Sequence, residues 1–513
     1  MVVANLIQGF ADAITPLNLY ACFIGSLLGT IIGVLPGIGP ATAMALLLPV
    51  TFNQPASTSL IMLAGLYYGA MYGGSTTSIL LNMPGESASV VTCFDGYQMA
   101  RKGRAGAALA VSAIGSWIAG TLAVVGLMLF APALARLALM FGPVEYFAFA
   151  LLGLLFLNNL TGDSFLKSTM IMILGLMIGT VGTDITYGSL RLNFGIIQLS
   201  DGMEILSVLM GLFALTEILD LVGGKEEIAK VVKVRFLDLY PTRDEIKRSI
   251  KPIFRGLAVG FPCGLLPGPA HIISTMISYK LEKSISRHPE EFGKGAIEGV
   301  AGPESANNAA ATGAMVPLFA LGLPFTVQAA ILVGALRMHG ITPSPLLISQ
   351  HAGLFWALIA SMYIGNVMLL ILNLPLVGIF ASLIKTPVKI LIPIITCLMI
   401  TGAYSVNNDV FEMWMVLLFG VIGFVMKKMD YSPIPLIIGM VIGPFFEESL
   451  RQALTLAQGD FLTFFQRPVA GTLLTITIVV ILWGLGGKQI KQLAVGFRRN
   501  GRSGFKGQRG GSE

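Results

Sequence analysis

The chain has 513 residues, 55% of them hydrophobic and 12% charged, with a net charge of +6 and a mean hydropathy of +0.80. Soluble domains carry roughly 25% charged residues, so this composition excludes an ordinary soluble protein and requires a multi-pass membrane protein. The positive excess does not point to nucleic acid, because it is gathered in Arg101–Arg104, Lys225–Lys251 and Lys488–Arg509, clusters of the kind that fix cytoplasmic loops.

Met1 to Tyr20 contains Asp12 and no Lys or Arg. It lacks the basic start of a cleavable signal, so the first apolar segment is expected to remain. Next comes Gly33-Val34-Leu35-Pro36-Gly37-Ile38-Gly39-Pro40-Ala41, a helix-breaking string inside an apolar stretch. Unpaired backbone survives at membrane depth only where protein or a water-filled cavity covers it. The string therefore reads as a re-entrant hairpin; the plainer reading is a kinked helix. Tyr67 to Ser78 follows, in which Gly73-Gly74 precede the hydroxyls of Ser75, Thr76, Thr77 and Ser78. Unwound backbone with hydroxyls suits sodium and hydrogen bonding to an anion. Hydroxyls bonded back to their own helix, or small-residue packing, are the alternative.

After Arg101–Arg104, apolar segments are expected near 107–130, 144–160, 168–187 and 203–222, ahead of a charged linker. Gly264-Leu265-Leu266-Pro267-Gly268-Pro269-Ala270 then repeats the first Pro-Gly string in shortened form. The charged run Tyr279 to Glu291 reads as a solvated cytoplasmic loop. Gly299 to Gly313 combines a break at Gly302-Pro303, Glu304 and the pair Asn307-Asn308. Polar side chains at membrane depth are candidates for function; N-capping by Glu304, Ser305 or Asn307 is the alternative. Crossings are expected at about 306–336 and 350–378, then two more before Lys427-Lys428, and a last one at about 470–486.

The two halves align beyond the Pro-Gly strings. Asn307-Asn308 falls on Tyr67-Tyr68, and the Gly73-to-Pro84 spacing equals the Gly313-to-Pro324 spacing. Ile178-Gly179 matches Ile422-Gly423, and Met210 to Phe213 with Glu217 matches Ile442 to Phe445 with Glu447-Glu448. If every basic cluster is cytoplasmic, corresponding loops must face opposite sides, and Arg337-Met338-His339 lies outside. The fold class predicted is thus an all-α polytopic membrane protein, with about 11 transmembrane helices plus two re-entrant hairpins in two inverted repeats. Residues 1–222 form the first repeat, 223–252 a cytoplasmic linker, 253–466 the second repeat, 467–487 an extra helix and 488–513 a basic cytoplasmic tail near anionic headgroups.

Matching breaks in two halves of a hydrophobic chain point to a transporter's binding site. The expected substrate-binding set is Gly37, Gly39, Pro40, Ser75, Thr76, Thr77, Gly268, Pro269, Asn307 and Asn308. The expected cation-binding set is Gly37, Thr42, Ser75, Gly268, Asn307 and Thr312. Amides and hydroxyls would hold the anion, while carbonyls and side-chain oxygens hold the cation. Cys22, Cys93, Cys263 and Cys397 show no CxxC spacing and read as buried free thiols, with no transition-metal site. The four histidines form no His-x-x-x-His, and neither Gly-x-Ser-x-Gly nor a phosphate loop occurs. An enzyme is not expected and no cofactor is implied.

Gly33 to Ala41, Gly264 to Ala270, Ser278 to Lys283, Gly302-Pro303-Glu304-Ser305-Ala306-Asn307-Asn308-Ala309-Ala310 through Pro324, and Gly443 to Arg451 resemble the large membrane subunit of the tripartite tricarboxylate transporter family. The resemblance spans about residues 10–490. It implies a subunit of the bacterial inner membrane that works with a small membrane subunit and a periplasmic substrate-binding protein. It further implies carboxylate substrates such as citrate, driven by an ion gradient, commonly sodium, rather than by ATP; a proton is the other co-transported cation considered. A homodimer stays open. So do a stand-alone ion-coupled permease without a binding protein and a non-transporting membrane enzyme or scaffold.

Overall fold

The structure is a computed structural model that describes residues 2–35, 39–160, 165–184, 188–223, 240–376, 379 and 388–482. The described residues are mainly helical, and among them the one sheet is a two-stranded antiparallel hairpin pairing Gly182–Thr183 with Leu190–Arg191. In chain order the first helices are α1 (Val2–Ala13), α2 (Pro16–Gly33), α3 (Pro40–Leu47), α4 (Ala56–Leu81), α5 (Val90–Arg101), α6 (Ala105–Ala138), α7 (Pro143–Leu160) and α8 (Phe165–Gly179). α9 (Ile205–Leu209) and α10 (Thr216–Gly223) are joined by a π-helical segment, Met210–Leu215. Then come α11 (Arg243–Gly264), α12 (Ala270–Ile285), α13 (Glu298–Gly313), α14 (Met315–Leu321), α15 (Val327–Met338), α16 (Leu347–Gln350) and α17 (Ala352–Asn373). α18 (Val388–Asn407), α19 (Val410–Lys428), α20 (Ile434–Leu456), α21 (Leu462–Gln466) and α22 (Pro468–Leu482) complete the fold.

Among the described residues, α2, α6, α17 and α19 are long and apolar enough to cross a membrane, and α7, α8, α15 and α22 contribute shorter apolar helices. With the composition, this is a helical membrane protein. The expected linker lies mostly outside the described residues, as does the tail.

Small residues set the closest helix contacts. On α2, a Cβ added at Gly25, Gly29 or Gly33 would lie 2.2–2.3 Å from the carbonyl oxygens of Met62, Leu66 and Ala70 on α4. On α11, a Cβ at Gly256, Gly260 or Gly264 would lie 2.2–2.4 Å from those of Gly302, Ala306 and Ala310 on α13. The four-residue spacing puts each trio on one helix face. In a membrane, such close backbone approach replaces the hydrophobic drive that lipid cannot supply. α8 and α20 meet the same way through Gly175, Gly179 and Gly439.

Several sequence expectations are corrected. α4 is not unwound at Gly73-Gly74: a Cβ on Gly73 would meet Thr30 O at 2.5 Å, so that glycine serves close approach to α2. α13 runs unbroken through Pro303, and Glu304, Ser305 and Asn307 lie in its interior rather than at its N-cap. Every α13 residue from Gly299 onward is buried, so tertiary packing outweighs the roughly 3 kcal/mol that an interior proline costs. The single crossing at 306–336 is three helices: Gly322 ends α14 in the left-handed region (φ +74°), and Pro324 precedes α15. Asn82 (φ +58°) and Pro84 end α4 in the same manner. The segment expected at 168–187 stops at Gly179. The run from Tyr279 is not wholly solvated, because α12 continues to Ile285 and Glu282 is buried against Arg255 (Nε to Oε1, 2.8 Å). Among the thiols, Cys22 and Cys93 are buried, but Cys263 is half-buried and Cys397 exposed.

The charged ends of the helices pair with one another. α11 opens with a capping box in which Glu245 N donates to Thr242 Oγ1 (3.2 Å) and Thr242 N to Glu245 Oε2 (2.6 Å). Arg104 reaches the same Glu245 (Nε to Oε1, 3.2 Å), and Lys102 donates to Lys294 O (2.6 Å). The 101–104 loop, the start of α11 and the loop before α13 therefore share one end. His339, by contrast, bonds Ser59 in the first turn of α4 (3.0 Å), and Arg337 donates to Val441 O (3.3 Å).

Candidate binding cavity between the helix breaks

Four helix breaks converge on one cavity of about 510 Å³. Gly39 to Thr42 line it at the start of α3, and Gly268, Pro269, His271 and Ile272 at the start of α12. Pro84 to Ala88 with Val90 line it ahead of α5, and Phe325 to Gln328 at the start of α15. Phe213, Glu217 and Ile434 close the wall. Such a volume lies within the roughly 300–1,000 Å³ of small-molecule sites.

Local sequence explains why each break stays in place. Gly39 is the extended N-cap of α3 (φ −74°, ψ 169°) and Pro40 its first residue, where a missing N–H is harmless. Gly268 sits at φ +128°, a conformation that favours glycine, and its N–H donates to Phe325 O (3.3 Å), tying two of the breaks together. Thr326 caps α15 by accepting from Ala329 N (3.2 Å). Gly85 lies against Gly74 and Gly33, where a Cβ would come within 2.4 Å of Gly74 Cα. The first turn of a helix leaves N–H groups without intrahelical acceptors and carries partial positive charge. Four such ends facing one space favour an anion, above all one with several carboxylates.

Behind the lining lies a buried polar layer carried by α4 and α13. Asn307 Nδ2 donates to Glu86 Oε1 (2.5 Å), linking α13 to the cavity wall. Ser75 donates to Glu304 Oε2 (2.5 Å), and Thr92 donates to Glu304 Oε1. Asn308 Nδ2 donates to Ser116 Oγ (2.7 Å). Tyr67 and His271 share a hydrogen bond of 2.8 Å at the cavity edge.

The sequence-predicted residues divide accordingly. Gly39, Pro40, Thr42, Gly268 and Pro269 line the cavity together. Asn307 stands one bond behind it, through Glu86. Ser75 turns to Glu304; Thr76 and Thr77 bond back to Tyr72 O and Gly74 O of their own helix (3.5 and 2.9 Å). Asn308 and Thr312 are occupied with each other and with Ser116, off the lining. Gly37 lies outside the described residues. Sequence reasoning missed Glu86, Ser87, His271, Thr326 and Gln328. The aligned prolines Pro84 and Pro324 were the available signal, since each stands two residues before a polar one, Glu86 or Thr326, at a chain break.

Among the described residues the lining carries Glu86, Glu217 and His271, and no Lys or Arg. Lys427 meets Glu217 at 3.2 Å and Asp220 at 2.7 Å. No ion pair reaches Glu86 or Glu304 among the described residues. Among those residues, too, no group of three His, Cys, Asp or Glu is placed to hold a metal ion.

The family model of the tripartite tricarboxylate transporter TctA family matches residues 19–438. The chain is also 46% identical, over 483 residues, to an uncharacterized 52.8 kDa protein in the TAR-I ttuC' 3' region of Agrobacterium vitis, covering 94% of this chain and 96% of that one. It is 44% identical over 222 residues to an uncharacterized protein in the TAR-II ttuC' 3' region of the same organism, covering 43% of this chain and 92% of that one. No solved structure matches.

Proposed function

Because the chain belongs to the tripartite tricarboxylate transporter TctA family, we propose that it is the large membrane subunit of a secondary transporter importing di- or tricarboxylates such as citrate. The cavity between the four helix breaks carries this reading: it offers partly positive helix ends and, among the described residues, no fixed cation, a setting for an anion whose charge a co-transported cation offsets. A small membrane subunit and a periplasmic binding protein complete the system, which works in the bacterial inner membrane with the tail in the cytoplasm and takes energy from a sodium or proton gradient. The two halves act as inverted repeats, a reading supported by Gly25, Gly29 and Gly33 meeting α4 as Gly256, Gly260 and Gly264 meet α13.

Gly39, Pro40, Gly268, Pro269 and Asn307 serve the substrate in this reading, and Thr42 and Asn307 contribute oxygens near the cation. Ser75 acts through Glu304, while Thr76, Thr77, Asn308 and Thr312 support the packing behind. The test is uptake of labelled citrate and succinate by proteoliposomes holding the complex with its binding protein, with and without sodium and pH gradients. Gradient-dependent accumulation of either acid is expected. Absence of uptake of any di- or tricarboxylate overturns the reading.

A further inference from the structure

Glu86 and Glu304 are the unexplained groups of this fold. Glu86 is 9% exposed and Glu304 1%, and their side chains are bonded only to uncharged donors among the described residues. Asn307 bonds Glu86 and shares α13 with Glu304, and the two buried carboxylates repel each other. Tyr67 faces Glu86, while Tyr72 and Cys93 face Glu304. His271 and Glu217 are the other titratable groups on the shared cavity. No cation stands in this set, and two like charges so buried cannot both persist cheaply. Two buried oxygens beside this pair, Asn307 Oδ1 (residue 1% exposed) and Tyr72 OH (4% exposed), find no hydrogen-bond partner among the described residues.

Glu86 also belongs to the cavity wall, whereas the charge of Glu217 on that wall is matched by Lys427. An anion drawn in by the helix ends would meet the bare charge of Glu86. We propose that Glu86, backed by Glu304, is the coupling carboxylate, taking up one monovalent cation, a proton or a sodium ion, before the carboxylate substrate can settle in the cavity beside it. Asn307 Oδ1, on the amide bonded to Glu86, then completes the cation's oxygen contacts or accepts a hydrogen bond from the protonated carboxyl, and Tyr72 OH stands ready to do the same at Glu304. Coupling is reciprocal, so bound anion tightens cation binding by the same factor. The inference rests on the carboxylate-import reading above and names the residues that link the two fluxes.

The test is calorimetric titration of the full-length protein, purified with its small subunit, using citrate and succinate as probes. One series varies sodium at fixed pH; the other lowers pH without sodium. Affinity of the wild type is expected to rise on the order of 10-fold in one series, which identifies the cation. Glu86→Gln holds the neutral state permanently. It should bind as tightly as cation-saturated wild type, with the dependence flattened to within about twofold. Full cation dependence retained in folded Glu86→Gln, or binding lost from it, overturns the proposal. If Glu86→Gln fails to fold, Glu86→Asp decides: a displaced cation midpoint supports the assignment and an unmoved one overturns it. Wild type that binds neither probe under any cation condition fails the import reading itself, whereas tight binding indifferent to both cations fails only the coupling role.

Discussion

Asn307 reaches across 221 residues of sequence to donate its amide to Glu86 at 2.5 Å, joining the buried face of α13 to the wall of the cavity. That bond connects a residue chosen for its polarity at membrane depth with one that the sequence left unremarked.

Removing the amide should be costly. Asn307→Ala leaves a buried carboxylate without its donor, a loss of about 1–3 kcal/mol. A lowered melting temperature is expected, with citrate uptake reduced at least about tenfold. Ser75→Ala should do less, because Thr92 still donates to Glu304. Unchanged uptake in Asn307→Ala would remove it from the site.

The glycine contacts separate packing from binding. Gly260→Val drives a side chain toward Ala306 O, 2.2 Å from the first added carbon, and should destabilise the α11–α13 pair by about 1–3 kcal/mol or more. Gly39→Ala meets nothing within 4 Å among the described residues and keeps a permitted φ of −74°, so its melting temperature should match wild type. Citrate affinity should fall instead, because the new methyl lies at the cavity. Equal melting temperatures for the two variants would contradict the packing account.

One pH effect follows from the loop outside the membrane. The hydrogen bond from Arg248 holds the Glu291 carboxyl below its ordinary value of 4.5. A carboxylate with a depressed folded-state value contributes stability above 4.5 that is lost as pH falls through the folded value. The melting temperature should therefore drop in that acidic window, and Glu291→Gln should shrink the drop slightly, since the pair is partly exposed. An identical acid profile in the variant would exclude the contribution.

The hairpin after α8 is held by charge. Arg451 donates to both oxygens of Asp184 (3.1–3.2 Å), while Arg191 reaches Glu447 at 2.6 Å. Arg451→Ala should loosen residues 188–201, read as faster hydrogen exchange there at little change in exchange for α4 and α13. Exchange unaltered in that stretch would show the pairs to be incidental.

Topology gives the last check. If the repeats are inverted, cysteines placed at Lys102 and at His339 should label from opposite sides of sealed vesicles. Labelling from the same side would end the inverted model.

Composition alone determined that the chain lives in a membrane, since so few charges and so much apolar surface admit no aqueous fold. Glycine and proline spacing marked the breaks, because those residues act on their own backbone and need no neighbour to do so. Polarity at depth likewise singled out Asn307. What the sequence could not settle was which face of each helix a side chain takes. Ser75-Thr76-Thr77-Ser78 and Gly73-Gly74 read as unwound, but α2 packs against Gly73 and the Gly85–Glu86 segment against Gly74, holding α4 straight and leaving the hydroxyls to their own helix or to Glu304. Pro303 reads as a break, but full burial carries α13 through it. Glu86 entered the cavity only because α4 ends at Asn82 and the chain folds back beneath α13, a contact between distant segments. Tertiary packing thus decided the site, since close helix contact costs or rewards a conformation by more than local propensity does.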